Sequence, residues 1–76
     1  MNRREETYAV KRALTRAGIQ FRHVGHERGT ACEWLKIKLM PGTPRSVEDE
    51  AIRVAQTVTG RHGEYDGRIV SRVVIV

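Results

Sequence analysis

Few residues in this chain are equipped for chemistry, and they fall into three groups. The first is the run Trp34-Leu35-Lys36-Ile37-Lys38-Leu39, which alternates strictly. Leu35, Ile37 and Leu39 recur with a period of two, the mark of a half-buried strand. The other side of such a strand faces solvent, and here it carries an aromatic ring beside cations. A ring that stacks and cations that neutralise phosphates suit a polyanion, nucleic acid above all. The same ring could equally pack on the stems of its neighbours or seal a dimer.

The second group is His23, His26 and Cys32. All three are metal-ligating types, but there is no Cys-x-x-Cys pair and no fourth ligand at a zinc-site spacing. No metal and no cofactor is expected. The third group is Gly60-Arg61-His62-Gly63-Glu64-Tyr65-Asp66-Gly67. Glycines at this density let the backbone turn sharply or approach a ligand closely. A helix cap followed by a turn, with Tyr65 anchored on the core, explains the segment without a ligand.

The elements that must position these residues belong to a small protein. At 76 residues the chain is one domain, 1–76, with room for one layer of helix on sheet. So small a core leaves a narrow stability margin, and a homodimer is one remedy. Lys and Arg number 14 against 9 Asp and Glu, for a net charge of +5. The isoelectric point is about 10.1. Such a balance favours an anionic partner: nucleic acid, an acidic protein surface or anionic lipid. It equally serves solubility alone. A lone cysteine excludes an internal disulfide framework, and no apolar stretch reaches membrane-spanning length. The opening residues lack the apolar core of a signal peptide, so a cytoplasmic location without membrane attachment is expected.

Residues 3–17 read as a helix with Val10, Ala13, Leu14 and Ala17 as its apolar stripe and Gly18 just past its end. Glu5 and Glu6 suit the positive pole at its start. A strand from Ile19 to about His26 follows, with Val24 breaking the alternation and Gly25 marking a bulge or bend. Glycines 25 and 29 suggest a hairpin into a second strand, Ala31 to Met40, which Pro41-Gly42-Thr43-Pro44 terminates. A second helix is expected to start with Ser46 as N-cap and to end at Gly60, burying Val47, Ala51, Val54, Ala55 and Val58. A last strand covers Arg68 to Val76.

The fold class is therefore α+β. It is a single α-β-β-α-β domain with a three-stranded, mainly antiparallel sheet and two helices on one face. Strand order 2-1-3 makes every neighbouring pair antiparallel and is the expected order. The uncovered face would then gather Gln20 and Arg22, Trp34, Lys36 and Lys38, and Arg68 and Arg72. This is the expected binding surface, its cations on phosphates or carboxylates and its ring stacking on a base.

Two resemblances bear on function. The string Ala13-Leu14-Thr15-Arg16-Ala17-Gly18-Ile19, followed by Gly25-His26, resembles HicA-type toxin ribonucleases. These are small basic proteins of double-stranded-RNA-binding-like fold, and the resemblance implies His26 as catalytic base. Two features depart from it. The family's Gly-Ser-His is Val24-Gly25-His26 here, and a final strand after the second helix does not suit an α-β-β-β-α order. The layout as a whole resembles the large polyvalent-protein-associated domains of phages and plasmids. The shared features are Phe21-Arg22-His23-Val24 in a strand, a glycine-bearing hairpin, the turn Pro41-Gly42-Thr43-Pro44 and the element Glu64-Tyr65-Asp66-Gly67. That resemblance implies a mobile-element setting, where small proteins bind nucleic acid or inhibit host defence complexes. It assigns no residue roles. A non-catalytic binding protein is the leading expectation.

Overall fold

The computed structural model describes residues 2–26, 34–61 and 73–76. Five elements follow one another: α1 (Arg3–Arg16), β1 (Phe21–His26), β2 (Leu35–Leu39), α2 (Arg45–Thr59) and β3 (Val73–Ile75). The α+β order is the expected one.

Helix α1 is closed at both ends by its own sequence. Asn2 is the N-cap: its side-chain oxygen accepts from the Glu5 backbone N–H at 2.8 Å, while its amide donates to Glu5 Oε1 at 3.0 Å. Asn2 thus caps a free backbone N–H of the first turn while its own side-chain amide is held by Glu5. At the other end Gly18 takes φ +75°. Its N–H reaches the Thr15 carbonyl, and the Ile19 N–H reaches that of Leu14. That pair of bonds is a Schellman closure, and buried Ile19 supplies its apolar contact. Ala17 is an exposed C-cap rather than a member of the apolar stripe.

Between β2 and α2 the backbone reverses at Pro41-Gly42. The Thr43 N–H bonds the Met40 carbonyl, and Gly42 has φ +82°, which is a type II turn with proline and glycine in their favoured places. Helix α2 starts two residues earlier than expected from Ser46 as N-cap. Pro44 is the N-cap, and no side chain caps the helix. Extended backbone at Pro44 suffices to open the helix, which leaves Ser46 as an ordinary first-turn residue.

The sheet order is β1-β2-β3, not 2-1-3. β1 and β2 are antiparallel, and β3 runs parallel to β2. The chain leaves β2, crosses over in α2 and returns as β3 to the free edge of β2, in keeping with the tendency of consecutive strands to lie side by side. That tendency prevails over the all-antiparallel arrangement. It also makes β2 the central strand, which explains why Leu35, Ile37 and Leu39 are all buried. β3 is an edge strand.

Both helices lie on one sheet face. Val10 and Leu14 of α1, and Ala51 and Ala55 of α2, close the core over Val24, Leu35, Ile37, Leu39 and Val73. Alanine at the two α2 positions lets that helix approach α1 and the sheet closely. No helix among the described residues is long and apolar enough to cross a membrane.

Candidate nucleic-acid interface

One irregularity of β1 shapes the open sheet face. Phe21 pairs with Leu39, but the next registered pair is His23 with Lys38, so Arg22 is an extra residue in the ladder. The break that Val24 makes in the alternation is therefore a bulge at Arg22, not at Gly25. A bulge sets two successive residues against one and resets the phase of the strand. Phe21 still packs on the core and Val24 is buried, while Arg22 and His23 are both exposed.

The result is a cluster. Arg22 and His23 from β1, Lys36 and Lys38 from β2, and Val76 line one shallow depression of about 520 Å³. His23 lies along Gly25: a Cβ on that glycine would meet His23 Nε2 at 2.8 Å. Arg22 and Lys38 pair with no carboxylate among the described residues. A neighbouring depression shares Arg22 and Lys38 and adds one acid, Glu48.

The expected surface is thus assembled in part. Arg22, Lys36 and Lys38 come together. Trp34 precedes β2 instead of standing within it, is half-buried with its indole nitrogen covered, and does not line the depression. Gln20 is exposed but lies before β1, beside Phe21 and Met40. Arg68 and Arg72 lie outside the described residues, as do Cys32 and positions 62–67 of the glycine-rich loop. The aromatic ring within the cluster is the imidazole of His23.

A second constellation was not legible in sequence. Glu6 turns inward from α1 and is bound from two sides. Arg61 Nε donates to Glu6 Oε2 at 2.7 Å, and its Nη2 donates to Oε1 at 2.8 Å. The His26 Nε2 lies 2.6 Å from Oε1. An ionised carboxylate only accepts, so the imidazole proton sits on Nε2. The side chains of Glu6, His26 and Arg61 are 11%, 7% and 11% exposed. Burial pushes the Glu6 carboxyl up, but hydrogen bonds from Arg61 and His26, with their charge, outweigh it and hold the group below the usual carboxylate value.

Each partner is placed by local structure. Glu6 is in the first turns of α1, and His26 closes β1. Arg61 follows the left-handed Gly60, φ +74°, which turns the chain back at the end of α2. His26 is thus an inward group engaged with a carboxylate, where the toxin resemblance needs a base open to RNA. It also faces the helices while His23 faces the open side, so these two imidazoles cannot share a metal ion.

No family model matches the chain. No curated protein matches it, and no solved structure does.

Proposed function

We propose that this is a small non-catalytic binding protein that holds a nucleic acid by its phosphates on the open sheet face. The observation that carries the reading is the bulge at Arg22. It aligns Arg22 and His23 with Lys36 and Lys38 around one depression. Guanidinium and ammonium groups gathered this way neutralise phosphates and release counterions, which gives sequence-independent affinity. His23 offers an exposed ring beside them for stacking on a base. The resemblance to phage and plasmid domains supplies a setting in which such a protein is useful.

The test is a salt titration of binding to short labelled oligonucleotides, single- and double-stranded. Affinity should fall steeply with salt. The Arg22→Ala/Lys38→Ala variant should lower the slope of log K against log salt by about 2. An affinity that stays flat from low to high salt sinks the phosphate-contact reading.

A second reading makes the same face a protein interface, either between two copies or with an acidic host protein. Val74 is directly beside Lys36 in the β2–β3 register, and Val76 is exposed next to Lys38, so an apolar strip borders the cations. Sedimentation equilibrium separates the readings. A dimer disrupted by Val74→Glu, together with no oligonucleotide binding, supports this one.

A further inference from the structure

The outer face of α1 is a separate charged surface. Arg3, Arg4, Lys11, Arg12 and Arg16 are all exposed. The helix carries two acids, but only Glu5 is at the surface, because Glu6 is turned inward and held by Arg61 and His26. Five cations therefore face solvent against one carboxylate. Arg4, Lys11 and Arg16 pair with no carboxylate among the described residues.

The spacing is regular. Arg4, Tyr8 and Lys11 fall at i, i+4 and i+7, with Arg12 and Arg16 continuing the i+4 steps from Tyr8. Each such step rises about 6 Å along the axis, comparable with the spacing of successive phosphates in a strand. The Arg12 guanidinium lies 5.7 Å from the centroid of the Tyr8 ring. Tyr8 is itself 63% exposed, the most exposed large apolar side chain among the described residues. Like charges four residues apart destabilise a helix, so the pattern has a cost that solubility alone does not require.

The two flanks of the helix are hollow. A depression beside Tyr8 is lined by Arg3, Arg4 and Lys11, and another between α1 and Val58 of α2 by Arg12 and Arg16 with Ala9, Ala13 and Ala17. Alanines there let a bulky backbone approach the helix closely. Glu48, Asp49 and Glu50 lie in the opening part of α2, and none of them lines either depression.

A lipid surface fits poorly. An interfacial helix must bury its apolar side in the bilayer. Here that side, Val10 and Leu14, is fully buried in the core.

We infer that α1 is a second phosphate-contacting surface, so that one molecule bridges two nucleic-acid segments, one on the sheet and one on the helix. The inference rests on the sheet face being a nucleic-acid surface. The helix packs on the covered side of the sheet and presents its cations away from it. The two surfaces therefore point in opposite directions from a body with extents of 30 × 23 × 20 Å.

The experiment uses the full chain and two DNA duplexes, one with a donor fluorophore and one with an acceptor. Wild-type protein should produce energy transfer near equal stoichiometry and lose it at large excess, when each duplex carries its own protein. Arg4→Ala/Lys11→Ala/Arg12→Ala should weaken bridging by about tenfold or more at moderate salt, while binding to a single duplex survives with a slope lower by no more than about 3. Circular dichroism and a sedimentation run confirm that the variant is folded and of unchanged oligomeric state. Bridging equal to wild type in that variant overturns the inference. So does binding of anionic phosphatidylserine vesicles, but not duplexes, through the same cations. If the α1 variant abolishes all duplex binding while Arg22→Ala/Lys38→Ala leaves it intact, the sheet reading fails and bridging with it. If wild-type protein binds one duplex and never two, bridging alone fails.

Discussion

Arg61 grips Glu6 with two nitrogens across 55 positions of sequence, Nε to one carboxylate oxygen and Nη2 to the other. The fork joins the start of α1 to the end of α2. His26 adds the end of β1 through the same carboxylate. Three elements are thereby fixed at one end of the domain by a single acid.

Removing that acid should be costly. Taking one member from a buried ion pair leaves its partner desolvated and unpaired, which costs about 3–5 kcal/mol. Glu6→Gln should therefore lower the urea midpoint sharply without changing the denaturant slope. Adding Arg61→Met should recover part of the loss, with a coupling of about 0.5–3 kcal/mol between the two sites. Strict additivity in the double-mutant cycle would show that the pair is not coupled.

The same carboxylate sets the acid limb of stability. Its proton affinity is lowered in the folded protein relative to the unfolded chain. Its contribution is fully present above the unfolded-state value and is lost as pH falls through the lower folded-state value. Urea midpoints measured downward through the carboxylate range should fall for the wild type. Glu6→Gln should remove a share of that fall; an identical acid profile in the variant would contradict the assignment.

Gly25 separates geometry from stability. Its φ is not in the left-handed region, so alanine is not strained there. The added Cβ would displace the His23 ring, the far end of an exposed side chain. Gly25→Ala should leave stability within about 0.5 kcal/mol, as surface changes do. Oligonucleotide affinity should weaken as His23 is pushed from the depression. Unchanged affinity with a displaced ring, seen by the His23 NMR shifts, would remove His23 from the interface.

Gly60 serves the charge cluster through the backbone. Its Cβ would meet nothing, but φ +74° penalises any L residue. Gly60→Ala should cost about 1 kcal/mol, and Gly60→Asn less, since asparagine tolerates this conformation. Equal losses for the two variants would point away from φ as the cause.

Much of the fold was legible because local signals agreed. The apolar stripe of α1, its glycine stop, the alternation of Leu35, Ile37 and Leu39, and the Pro-Gly turn each follow from short-range rules. The strand order was not legible, because the last strand is an edge strand in either order and its apolar pattern does not say whether it joins β1 or β2. Of the cationic face, Arg22, Lys36 and Lys38 could be placed by period. His23 could not, since a bulge moves it by one residue. The broken alternation before Val24 was its signal. Glu6 was hidden for another reason: an acid in a first helical turn already has a sufficient explanation in the helix dipole, and its partners come from distant parts of the chain.

The bulge at Arg22 also shapes the outer border of the sheet. Among the described residues β1 pairs with β2 alone, so it is an outer strand whose far side carries a row of backbone donors and acceptors. The extra residue interrupts that row and kinks it, so a neighbouring strand cannot lie flush along it. Deleting Arg22 would remove a charge and also straighten a border that is now crooked. The shortened protein should aggregate at a lower concentration than the full chain, which light scattering measures.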